Sequence, residues 1–91
     1  MPRKRQEVHW YSVYVCAYVD EATRQRVERG EETITQPAQI MTHSFYSGPR
    51  KQQADYAFAR ASLAAYNDPL AYAVVMERDL KVVIRLKVER R

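Results

Sequence analysis

Three side chains carry the residue types for nucleophilic or metal chemistry: Cys16, His9 and His43. A cysteine attacks as its thiolate, so it needs a base within hydrogen-bond reach. His43, on a strand beside Cys16, would supply one. Zinc wants four ligands, and no Cys or His pair here has finger-like spacing. Cys16 is more simply a small residue within a strand. The two glycines, Gly30 and Gly48, sit in no phosphate-binding pattern. The carboxylates gather in the charged stretch 20–32, where water solvates them. No catalytic residue, metal ligand or cofactor site is expected, and no enzyme.

Recognition chemistry is better represented. The stretch from Trp10 to Val19 alternates with period two, so as a strand it has two faces. Tyr11, Val13, Val15, Ala17 and Val19 form an ordinary core face. Trp10, Ser12, Tyr14, Cys16 and Tyr18 form the other, which is unusually aromatic for a face meeting only water. Trp and Tyr anchor protein interfaces. The same rings with cations beside them would also stack bases and neutralise phosphate.

A second set lies between residues 50 and 66. Ala54, Ala57, Phe58, Ala61 and Ala65 follow helical spacing and make one face. Tyr56, Ala59, Leu63 and Tyr66 make another stripe, roughly opposite, that would meet a partner, a twofold mate or a covering loop. Arg50 and Lys51 open this helix. Cations there oppose the helix dipole by about 0.3–1 kcal/mol each, and free N–H groups beside them would hold a phosphate or carboxylate. The plainer reading is two solvated cations with Asp55 one turn on. Lys81, Arg85 and Lys87 are further candidates for anion contact.

These residues must be positioned by a small fold. The chain has 91 residues, enough for one domain, residues 8–91 behind a basic tail over 1–7. A domain this short buries only about 60–65% of its unfolded surface. The net charge of +4 comes from Arg3, Lys4 and Arg5 at one end and the basic C-terminal stretch at the other. It favours an acidic partner, nucleic acid or protein, without choosing between them. One cysteine allows no internal disulfide, which fits a reducing, cytoplasmic setting. No apolar run reaches membrane-spanning length, and no small-residue cleavage site follows the first strand.

The elements follow in order. The first strand runs from about Val8 to Val19. Asp20–Glu32 is either a short helix capped by Asp20 and ended near Gly30, or a solvated loop. Glu32–Tyr46 is a second strand broken by Pro37, which lacks the N–H of a central strand, so this strand should lie at the sheet edge or be bulged. Ser47 or Gly48 caps the one strong helix, with Pro49 in its first turn. Alanine abounds from Arg50 to Tyr66 and no β-branched residue interrupts it, so propensity is high. Asn67-Asp68-Pro69 ends it. Leu70–Met76 is a third strand; if it buries its larger set, Tyr72, Val74 and Met76, then Ala71, Ala73 and Val75 join the outer face. A connection at Glu77-Arg78-Asp79 leads to a fourth, Leu80–Glu89.

The expected fold is therefore α+β and two-layered: a four-stranded, mainly antiparallel sheet (ββαββ) with one main helix packed on one face. Strand order 2-1-3-4 follows from a right-handed crossover, and 2-1-4-3 is the alternative. The expected function is a small non-enzymatic binding module, a regulator, adaptor or inhibitor that works by protein–protein contact. Its anchors are Trp10, Tyr14 and Tyr18, or Tyr56, Leu63 and Tyr66. The rival is single-stranded nucleic-acid binding on the same sheet face, with Arg50, Lys51, Lys81, Arg85 and Lys87 on phosphates. No membrane partner is expected.

Overall fold

Period-two alternation in the first stretch produces β1 (Tyr11–Tyr18) in the computed structural model, which describes residues 8–89. The basic residues Arg3, Lys4, Arg5, Arg90 and Arg91 lie outside the described residues. Tyr11, Val13, Val15 and Ala17 are buried on one face, whereas Ser12, Tyr14 and Cys16 are half-buried on the other. β1 is internal. It pairs antiparallel with β2 (Ile40–Gly48) on one side and β3 (Ala71–Arg78) on the other. β3 pairs antiparallel with β4 (Lys81–Lys87), giving the order β2-β1-β3-β4.

Asp20 ends β1 and starts α1 (Glu21–Glu28) in one step. Its carboxylate accepts the Thr23 N–H at 2.7 Å, one of the donors a helix start leaves without an internal partner. Gly30 follows at φ +75°, a conformation that glycine adopts without a Cβ penalty. Of the two readings open for this stretch, the helix is the one that forms.

The second strand is shorter than expected. Residues 31–36 are not strand, and Pro37 instead opens a short 3-10 helix, Pro37–Gln39. The Gln39 side chain holds the preceding loop by accepting the Thr35 and Gln36 N–H groups. Strand pairing begins only at Ile40. β2 is an edge strand as expected, although Pro37 lies outside it and takes no part in its pairing.

The main helix, α2 (Lys51–Tyr66), closes on the sheet through Ala54, Ala57, Ala61 and Ala65, all at most 1% exposed. Alanine lets the helix approach closely, and Phe58, Tyr46 and Val88 fill the margins. The helix start differs from expectation. Ser47 and Gly48 remain paired to β1, so neither caps the helix and Pro49 stays outside it. Arg50 occupies the cap position without a side-chain bond. Its N–H donates instead to the Tyr46 hydroxyl at 3.0 Å. That ring lies over Gly48, where a Cβ would come within 2.6 Å of the hydroxyl oxygen.

A bulge decides the facing of β3. Cys16 pairs with Ala73 but Ala17 pairs with Ala71, leaving Tyr72 as the extra residue. Val74 and Met76 point to the helix as expected. Ala71, not Tyr72, joins them in the core, and Tyr72 turns to the opposite face. The β3–β4 turn also shifts, from Glu77-Arg78-Asp79 to Asp79-Leu80, because β3 runs on to Arg78.

Candidate functional site

The sheet face away from α2 gathers the aromatic residues that the alternation singles out, but it uses most of them internally. Tyr18 is nearly buried, its ring tilted against Tyr72 at 4.7 Å between centroids. Burial pushes its phenol upward, aided by the Glu28 carboxylate. The Tyr14 hydroxyl donates to the Glu77 carboxylate at 2.5 Å, and burial together with this bond holds it protonated well above the ordinary tyrosine range. Trp10 alone keeps a large open surface. Its indole N–H donates to the Ser47 hydroxyl at 3.0 Å.

Beside this pair of stacked tyrosines lies a half-open cleft of about 900 Å³ between α1 and the sheet. Arg24 and Glu28 form one wall, Arg85 and Lys87 the other, and Tyr18 and Tyr72 sit between. Arg24 is neutralised by Glu21 and Glu28. Arg85 and Lys87 make no ion pair among the described residues.

Cys16 and His43 do not meet. Cys16 is opposite Thr42 in the ladder and His43 is opposite Val15, so the two side chains project from opposite faces. Burial also pushes the Cys16 thiol up, away from thiolate. Among the described residues no group of His, Cys, Asp and Glu is arranged to hold a metal. Among the described residues no helix is long and apolar enough to cross a membrane.

The second helix stripe is open: Tyr56, Leu63 and Tyr66 are each about two-thirds exposed. At the helix start Lys51 pairs with Asp55 at 2.9 Å, which raises its ammonium and takes it up locally. Arg50 is exposed at the cap.

Sequence reasoning passed over the most exposed apolar element, β4. All seven of its residues are exposed on a sheet edge. Val82, Val83, Ile84 and Leu86 keep 43–58% of their surface open. α2 lies against β1, β2 and β3, the other three strands. The signal was present: β4 has branched apolar residues on both faces, which suits a strand covered on both sides. Sequences usually blunt such edges with charge, and here Lys81, Arg85 and Lys87 do so in part.

The hairpin tip reinforces this. Asp79 and Leu80 form a two-residue turn with φ +52° and +67°. Such turns favour Asp-Gly, and a leucine at positive φ is strained. Leu80 is also 88% exposed, so packing does not offset the strain. Leu80→Gly should therefore raise stability by about 1 kcal/mol, read as a higher denaturant midpoint. A lower midpoint would show that the leucine is held by contacts rather than strained.

Asp79 ties this tip to the start of β1. Its carboxylate accepts the Trp10 N–H at 2.9 Å and meets His9 Nδ1 at 2.6 Å. The Trp10 bond, then the His9 bond, hold the Asp79 carboxyl below the ordinary range. A carboxyl lowered on folding adds stability above its unfolded pKa of about 3.9, and that stability is lost as pH falls through the lower folded value. Denaturant midpoints measured from pH 5 to pH 2 should fall, and fall less steeply in Asp79→Asn. Parallel curves for the two proteins would remove Asp79 from the acid response.

No protein-family model, curated protein or solved structure matches the chain. The candidate site stands on its own geometry.

Proposed function

We propose that this chain is a small non-enzymatic binding module that acts by contact with another protein, in a reducing, cytoplasmic setting. The observation that carries the reading is β4, an edge strand exposed on both faces that leaves Val82, Val83, Ile84 and Leu86 open and begins just after a strained, exposed Leu80. Apolar surface of this kind is normally covered in use, and local rules broken without compensation mark function. The α2 stripe of Tyr56, Leu63 and Tyr66 is a second surface of the same character.

Single-stranded nucleic-acid binding is less well supported. Tyr18 is stacked on Tyr72, Tyr14 is held by Glu77, and Glu77 places an acid on the face where phosphate would run. The two classes separate by experiment. Cross-linking of the whole chain in cell extract, beside Leu86→Asp, should give protein adducts with the wild type that the variant lacks. Identical adducts would overturn the reading. So would binding to a panel of single-stranded DNA and RNA whose affinity drops steeply with salt, since counterion release produces that slope.

A further inference from the structure

The open edge of β4 has a defined register. The Val88 N–H donates to the Tyr72 carbonyl at 3.0 Å, and the ladder pairs Leu86 with Val74 and Ile84 with Met76. Antiparallel strands bond through alternate residues. The main-chain groups of Ile84, Leu86 and Val88 therefore turn toward β3, and those of Arg85 and Lys87 turn outward, unpaired within the sheet. The side chains alternate in the same register. Ile84 and Leu86 share the face of Met76 and Val74, while Arg85 and Lys87 share the opposite face with Val75 and Ala73.

We propose that β4 accepts an extended acidic–apolar segment of a partner protein as a fifth strand. Main-chain bonds to Arg85 and Lys87 would provide the docking, as in other strand additions. Apolar residues of the incoming segment would lie beside Ile84 and Leu86. Acidic residues at the alternate positions would lie beside Arg85 and Lys87, neither of which forms an ion pair among the described residues. Charge complementarity selects this occupant over a second copy. Any twofold antiparallel pairing of β4 with itself through these outward groups sets at least one cation directly against another, which destabilises a strand pair.

The inference rests on the protein-contact reading, and the test separates the two. The full chain, labelled with nitrogen-15, is titrated with a short capped peptide of alternating valine and glutamate, and with its valine–lysine counterpart. The glutamate peptide should slow amide exchange at Arg85 and Lys87, and should bind at least about tenfold more tightly than the lysine peptide at low salt. The double variant Arg85→Glu with Lys87→Glu should invert that preference. Lys87→Pro removes an outward N–H and should weaken binding more than Lys87→Ala, with β1 amide shifts unchanged in both. Three results overturn strand addition: no protection at Arg85 and Lys87, equal affinity for the two peptides, or the same protection from concentrating the protein alone. The last would make a second copy the occupant. If Leu86→Asp removes the cross-linked partner while the charge-reversed variant retains it, strand addition fails and the contact reading stands. If neither variant loses the partner, both fail.

Discussion

Ala61→Leu lowers the thermal midpoint by more than ten degrees, whereas Ala59→Leu, two residues away, leaves it nearly unchanged. Ala61 is fully buried between α2 and the sheet, in the line of four alanines that sets how closely the helix lies. Leucine adds three carbons where no space exists, so the helix must lift or neighbouring side chains must leave their rotamers. Overpacking of this kind costs about 1–3 kcal/mol, and the position at the centre of the contact argues for the upper end. For a domain of this size each kcal/mol moves the midpoint by about 4–8 °C. The expected fall is about 12–24 °C, against a total stability of about 5–14 kcal/mol. Ala59 is exposed on the same helix, and its leucine variant should stay within about 0.5 kcal/mol. Equal midpoints for the two variants would show that the alanine line does not set the helix–sheet distance.

Leu86→Asp abolishes the partner contact while the domain remains folded. Leu86 is 44% exposed on the edge strand, on the side that α2 leaves open, so about half of its burial energy is still available to a partner. Losing the half already buried costs the domain about 1–2 kcal/mol, which it can tolerate. At the interface the substitution places a carboxylate among apolar side chains and adds negative charge next to a segment of net negative charge. Both effects oppose binding, and a loss of at least about tenfold in captured partner follows. Leu63→Asp on the exposed helix stripe is the matched control. If Leu63→Asp abolishes capture and Leu86→Asp does not, the contact lies on α2 and β4 is only an uncovered edge. Circular dichroism and the urea midpoint of each variant distinguish lost contact from lost fold.

The sequence by itself determined the element types and most of the topology. Alternation from Trp10 to Val19 made β1 two-faced, and the alanines at helical spacing selected the buried face of α2. Pro37, without an N–H, broke the second stretch, and strand pairing began only after it. These features depend on period and backbone chemistry, which are local, so they were legible without contacts. The strand ends were less legible, because pairing partners set them: Ser47 and Gly48 stayed in β2 through their bonds to β1 instead of capping α2.

The tertiary structure decided which of the candidate residues are open. A bulge opposite Cys16 turned Tyr72 onto Tyr18 and closed an anchor that alternation alone had exposed. Register put Cys16 and His43 on opposite faces, although sequence separation placed no such barrier between them. The uncovered β4 also has a geometric cause. A helix is about 10 Å wide, and strands lie about 4.8 Å apart, so one helix covers two or three strands of four. Strand order then leaves the far edge bare. Residue types nominated the aromatic face of β1 as the site of contact, whereas the packing of α2 leaves β4 as the open apolar edge.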